Sequence, residues 1–322
     1  MKQDLSLFLK GAAMGAANVI PGVSGGTIAF ITGVYEPLIQ SLKSFDLVAL
    51  KLILARDFKG FAERVNLRFL VALMAGVLVS VVTLAKLLKW LMSSPTNETL
   101  VWAFFFGLIL GSIPFVGKMV NRWSPGPVVG LLFGAVVAAG ISLMTAAEPN
   151  QNPIYLGLCG VVAMCSMIVP GLSGSYVLML MGNYQLIMLD SVNALRAMDL
   201  ATALPILIPV GIGAVIGLVA FAHLLGWIFK RFHDVAVALL TGFVAGSLLT
   251  IWPWKKGIPM TDASGAPITK DGKEKIGSYE WQMPSLDGPT FAALGIIALG
   301  ILAIVLVEKA GASKPSAETA EN

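Results

Sequence analysis

Asn18-Val-Ile-Pro-Gly-Val-Ser-Gly-Gly-Thr27 interrupts an apolar run that extends from Leu5 to Ile39. Pro21 lacks a backbone N–H and its ring collides with the preceding turn, so a helix breaks there. Gly22, Gly25 and Gly26 admit backbone angles that other residues resist. Ser24 and Thr27 place hydroxyls where a new helix starts, beside amides that have no intrahelical partner. The same device returns 149 positions later as Pro170-Gly-Leu-Ser-Gly-Ser175. At that offset Pro21, Gly22, Ser24, Gly25, Gly33 and Tyr35 align with Pro170, Gly171, Ser173, Gly174, Gly182 and Tyr184. Paired interruptions at matching places in two apolar halves point to a transporter binding site.

Composition sets the surroundings of these breaks. Of 322 residues, 57% are hydrophobic and only 12% are charged, and the mean hydropathy is +0.83. Such a chain is a polytopic membrane protein whose solvent is the phospholipid bilayer. The net charge of +4 comes without a basic run interleaved with aromatics, which argues against a nucleic-acid partner. Cys159 and Cys165 lie in an apolar segment and are too few for a disulfide framework. With only His223 and His233 beside them, no metal site and no other cofactor is expected. Lys10 interrupts the first apolar stretch and no small-residue cleavage site follows cleanly, so a cleavable leader is not expected either.

The pattern divides the chain into two repeats, 1–150 and 151–309, with a polar tail over 310–322 expected to be disordered. Each repeat reads as one broken helical hairpin followed by three spans. The hairpins cover 5–41 and 153–189. The spans are 67–92, 100–116 and 127–146 in the first repeat, and 202–229, 235–252 and 289–307 in the second. The second span is short for the roughly 20 residues a crossing needs, so it starts earlier or runs upright. Residues 42–66 carry charges among apolar residues at helical spacing and predict one interfacial amphipathic helix. A polar insertion over 255–288 reads as an aqueous loop with room for a small hairpin. A second echo pairs Gly107, Gly111 and Ser112 with Gly242, Gly246 and Ser247 at an offset of 135, which suits close helix packing.

If each hairpin re-enters and leaves on one side, each repeat has three crossings, and an odd count inverts the second repeat relative to the first. The expected fold is therefore all-α, with two inverted repeats, each a re-entrant hairpin plus three transmembrane helices. Charge supports this. With both termini cytoplasmic, fourteen Lys and Arg fall on the cytoplasmic side, while the short outer loops hold only Arg196. The long insertion balances its own five basic residues with five acids. Lys86 and Lys89, near the outer end of a span, run against the pattern.

Irregular backbone at membrane depth is tolerated where it is buried in protein or lines a wet cavity. A half-helix start offers bare amides and the positive end of a dipole, which suits an anion, above all a phosphate. Asn18, Pro21, Gly22, Ser24, Gly25, Gly26 and Thr27, with Pro170, Gly171, Ser173, Gly174 and Ser175, are the candidate substrate-binding residues. Tyr35 and Tyr184 either cap that site or sit at interfaces. Arg64 and Arg68 precede the first span and either receive a phosphate on their guanidinium forks or anchor the chain at the lipid surface. A lipid phosphatase needs a nucleophile with a positioned acid or base, and His223 and His233 lie within one segment without an Arg- and Ser-flanked phosphatase pattern near either, so an enzyme is not expected. The residues leave open a secondary transporter for a small soluble anion.

The paired motif, Asn18 to Thr27 with Gly33-Val-Tyr35 and Val169 to Ser175 with Gly182-Asn-Tyr184, resembles that of the bacterial polyisoprenyl-phosphate translocase family, and the resemblance covers nearly the whole chain. It implies that the protein flips undecaprenyl phosphate, the carrier lipid of cell-envelope synthesis, back to the cytoplasmic leaflet of the inner membrane. Insertion 255–288 has no match in that pattern. Inward movement of an anion opposes an inside-negative potential by about 2.3 kcal/mol per charge per 100 mV. Use of the carrier could supply the gradient; otherwise H+ or Na+ must accompany it. Glu36 is the candidate coupling residue, against the plainer reading of an interfacial Glu that faces water or pairs with a Lys.

Overall fold

The computed structural model describes residues 2–19, 24–91, 94–259, 269–270, 273–274, 276–285 and 287–312. Outside two small strand pairs in the insertion, its regular elements are all helical. The first apolar run forms α1 (Lys2–Val19), α2 (Gly25–Ile31) and α3 (Tyr35–Lys43). Ser24 caps α2 by accepting from the Gly26 amide, and Gly33 turns the chain into α3 at a φ of +70°. Residues 42–66 do not make the single helix expected. They make α4 (Leu47–Leu54) and α5 (Phe58–Arg64), because Arg56 is left-handed at φ 57° and the Asp46 and Asp57 carboxylates each cap a new start. Leu47, Leu54 and Phe58 remain exposed there.

The long helices follow: α6 (Leu67–Leu91), α7 (Pro95–Gly117) and α8 (Pro125–Ser142), then the second interrupted segment, α9 (Pro153–Ile168) and α10 (Gly174–Leu180). After the Gly182 turn, at φ +74°, a π-helical stretch (Leu186–Asp190) runs into α11 (Ser191–Arg196). The chain ends with α12 (Leu200–Arg231), α13 (His233–Gly246) and α14 (Gly288–Ala312). Proline in the first turn, where its missing N–H costs nothing, starts α7, α8 and α9. α7 does begin earlier than its apolar core.

Among the described residues, α7, α8, α12 and α14 are each long and apolar enough to cross a membrane, and α5 and α6, bent by 68° at their break, make a fifth if the pair is one span. This is a multi-pass, mainly α-helical membrane protein. The span expected at 235–252 is the exception. α13 has 14 residues, about 21 Å at 1.5 Å per residue, and a 3₁₀ turn at Ser247–Leu249 continues it. Outward-facing Val82, Val136, Val215 and Leu302 are more than half exposed, as lipid-facing side chains are.

Four helix pairs dominate the packing: α1 with α6, α9 with α12, α7 with α14, and α8 with α13. Glycine sets the closeness of each. A Cβ on Gly11 would strike the Leu73 carbonyl of α6, and one on Gly160, 149 positions on, the Val210 carbonyl of α12. A Cβ on Gly107 would strike Ile297 of α14, and one on Gly242, 135 positions on, Leu131 of α8. Corresponding glycines thus make corresponding contacts. The main core joins both halves, with Phe30, Tyr35, Leu73, Ile109, Val237 and Leu240 almost wholly buried in one cluster.

In the insertion, β1 (Lys255–Pro259) pairs antiparallel with β4 (Ile276–Trp281), and β2 (Thr269–Lys270) with β3 (Lys273–Glu274), so the small hairpin is present. It is pinned to the end of α13. Trp281 Nε1 donates to the Leu249 carbonyl at 2.8 Å, and Trp252 Nε1 to the Gln282 carbonyl at 3.1 Å.

Candidate functional site

The two interruptions meet. The Gly171 amide donates to Thr27 Oγ1 at 2.7 Å, a bond between residues 144 apart in sequence. Thr27 is wholly buried. Gly171 holds a φ of +87°, and a Cβ there would strike the Phe243 carbonyl of α13, so glycine is required twice over. A Cβ on Gly26 would lie 2.9 Å from the Met167 carbonyl and 3.2 Å from that of Ile168. The first turn of α2 therefore rests on the end of α9. Pro170 is buried beside it. Pro21 and Gly22 lie outside the described residues.

The ends of the two half-helices differ. At α2 the chain satisfies its own donors. Gly25 N donates to Asn18 Oδ1 at 2.7 Å, Gly26 N to Ser24 Oγ at 3.1 Å, and Thr27 N to the Ser24 carbonyl at 3.0 Å. An anion reaching these amides would first have to displace Asn18 and Ser24. At α10 the N-cap Ser173 makes no capping bond. Its hydroxyl meets Ser175 Oγ instead, at 2.8 Å, and both serines are partly exposed. Buried Gly174 brings α10 within 2.7 Å of the Ala163 carbonyl, measured to its would-be Cβ.

The remaining candidates scatter around this centre. Tyr35 is buried with Phe30 and Phe229 edge-on to its ring, and among the described residues its hydroxyl has no partner. Tyr184 packs on a separate cluster around Leu156 and Ile187. Arg64 is taken by Asp46, with Nε 3.1 Å from Oδ1. That guanidinium, with the Ala49 amide, holds the Asp46 carboxyl at about 2. Arg68 forks onto Asp4 at 2.8 Å on both arms. Both arginines thus face an internal carboxylate. Glu36 pairs with His233 Nε2 at 3.3 Å, not with a Lys, and so links α3 to the start of α13. Asp234, next to that histidine, accepts from the Asn121 and Arg122 amides at 3.1 and 3.0 Å.

Two cavities touch the interrupted hairpins. One, of about 570 Å³, is lined by Asp4, Lys10, Gly33, Asn66 and Arg68, among others. Lys10 donates from there to the Thr32 carbonyl at 2.7 Å. The other, of about 250 Å³, lies under the insertion, with Tyr176 and Met179 of α10 in its wall. Each cavity touches one interrupted hairpin, and each holds a lysine. Lys10 was visible in the sequence as a charge interrupting an apolar run; the second lysine sits where the chain reads as an aqueous loop. Among the described residues no group of three or more His, Cys, Asp or Glu is placed to hold a metal ion.

Comparison with known proteins places this arrangement. The sequence profile of a family described as undecaprenyl phosphate translocase-like matches residues 14–268. A polyprenyl-phosphate transporter of Vibrio cholerae serotype O1 is 35% identical over 302 residues, covering 94% of this chain and 95% of the relative. A polyprenyl-phosphate transporter of Staphylococcus aureus is 30% identical over 263 residues, covering 78% and 86%. No solved structure matches the chain. With the profile spanning most of its length and one relative aligned over nearly all of it, the chain belongs to the undecaprenyl phosphate translocase-like family.

Proposed function

We propose that this protein transports a polyisoprenyl phosphate, undecaprenyl phosphate in particular, from the outer to the cytoplasmic leaflet of the bacterial inner membrane, so that the carrier is used again. The names of its relatives and the description of its family support the substrate class. The observation that carries the reading is the Thr27–Gly171 hydrogen bond, which joins two backbone interruptions inside an apolar helical body. A phosphate cannot cross hydrocarbon unaided, since an unpaired charge there costs at least several kcal/mol. Interrupted backbone shelters the headgroup while the prenyl tail stays in lipid.

The mechanism we infer is alternating access between two inverted repeats, each a re-entrant hairpin plus three crossings. Three features support it: corresponding glycine contacts at the 149 and 135 offsets, a cavity on each hairpin, and the asymmetry of Lys and Arg, which fits a topology with both termini in the cytoplasm. In this mechanism the headgroup passes between Lys10 in one cavity and the Tyr176 face of α10 in the other. The protein moves its substrate without making or breaking covalent bonds. Glu36 and His233 are the proposed proton carriers; their contact spans the two repeats.

The test is transfer of a polyisoprenyl phosphate between leaflets of liposomes holding the purified protein, read with an impermeant phosphatase. Wild-type protein should expose inner-leaflet lipid to the enzyme much faster than protein-free liposomes do. Equal rates would overturn the reading, and uptake of soluble phosphate in its place would make the protein a soluble-anion transporter. Glu36→Gln should abolish acceleration by an imposed proton gradient while leaving the gradient-free rate; retained acceleration would remove Glu36 from coupling.

A further inference from the structure

The insertion over 255–288 has a place in the fold that its polar sequence does not announce. β1 and β4 pair Lys255 with Trp281 and Gly257 with Tyr279. Side chains two apart on a strand share a face, so Lys255 and Tyr279 lie on one side of the ribbon. That face covers the smaller cavity, lined by Trp102, Ser142, Tyr176, Thr250, Lys255 and Tyr279 among others. At about 250 Å³ it has the volume of about eight waters.

Lys255 is the cation of this cavity. Its Nζ lies 3.5 Å from the centre of the Trp102 ring and 4.6 Å from that of Tyr279. One proton goes to the Thr250 carbonyl at 2.5 Å, and an ammonium has three to give. Among the described residues no carboxylate stands within ion-pair distance. Glu98 acts on it only at longer range and receives the Trp102 indole N–H at 3.3 Å. Burial pushes the Lys255 ammonium down to about 7, with Glu98 pulling the other way. Among the described residues this buried amine thus has no carboxylate partner, and an arriving anion would favour its charged form. Around it stand hydroxyls, with Ser142 Oγ 2.6 Å from Thr250 Oγ1 and the Tyr176 hydroxyl donating to the Ser142 carbonyl at 3.4 Å. Tyr176 belongs to the first turn of α10, directly after Ser173 and Ser175.

We propose that this cavity is a receiving site for a phosphate monoester on an apolar stem, with Lys255 as the phosphate ligand and Tyr279 and Trp102 as the aromatic walls that hold the first carbons of the stem. The insertion is then a binding element that delivers the headgroup to the α10 end of the second interruption. This rests on the transport reading above and adds to it a place of first binding.

The test is binding of farnesyl phosphate to the full-length protein in nanodiscs, with farnesol and inorganic phosphate as the other two ligands. Wild type should bind farnesyl phosphate in clear preference to both. Lys255→Gln should weaken it by about tenfold or more, the worth of a hydrogen bond to a charged group, and leave farnesol unchanged. Lys255→Arg, which keeps the charge, should recover most of the affinity, and an unchanged melting temperature in both variants shows that folding is intact. Equal binding by wild type and Lys255→Gln would overturn the proposal, as would a lysine-dependent affinity for farnesol equal to that for the phosphate. If the glutamine variant moves lipid normally while wild type is active, the receiving site fails and transport stands. Wild type that binds farnesyl phosphate through Lys255 but moves no lipid between leaflets keeps the site and removes the transport reading.

Discussion

The starts of α2 and α10 descend from the same stretch of motif and end in opposite states. α2 is closed on itself, with Asn18 and Ser24 taking its first amides and Thr27 wholly buried. α10 is open, since Ser173 caps nothing and its hydroxyl spends its bond on Ser175. The Thr27–Gly171 bond ties the closed start to the turn before the open one. The difference teaches that a repeated motif need not do the same work twice. One copy forms a fixed support, and the other leaves its serines partly exposed, on a helix whose Tyr176 and Met179 line a cavity.

Substitutions break or sharpen that contrast. The largest effect is expected at Gly171, where a side chain meets both a left-handed backbone and the Phe243 carbonyl. Gly171→Ala should cost about 2–5 kcal/mol, read as a large drop in unfolding midpoint in detergent, with loss of transport. Thr27→Val keeps the shape but leaves the buried Gly171 amide without its acceptor, at about 1–3 kcal/mol. A midpoint equal to wild type would mean that the bond does not hold the two interruptions together. Ser24→Ala removes one cap and should cost about 1 kcal/mol. Ser173→Ala should change stability by less than about 0.5 kcal/mol and still slow lipid transfer. Equal destabilisation by the two serine variants would erase the distinction between a closed and an open start.

Much of this was legible in the residues. The 149 offset matched Gly33 with Gly182, and both adopt positive φ at equivalent turns. The 135 offset matched Gly107 with Gly242, and both let a neighbouring backbone come close. What the residues did not say was which neighbour: α14 for the first and α8 for the second. Periodicity over 42–66 read as one helix because a left-handed Arg56 leaves no mark on spacing. Arg64 and Arg68 looked available for phosphate because Asp46, 18 positions away, and Asp4, 64 away, were not visible as their partners. Lys255 looked solvated because the strand pairing that lays it over Trp102 is not local.

By itself the sequence determined that the chain lives in a bilayer, where it breaks, and which turns need glycine, because each follows from local backbone chemistry and hydropathy. Only the tertiary structure decided which break is closed and which is open, which charges are already neutralised, and that an aqueous insertion covers a cavity. Those depend on contacts between residues tens to hundreds of positions apart, and a hydrogen bond or ion pair forms wherever packing brings its partners together, whatever their separation along the chain.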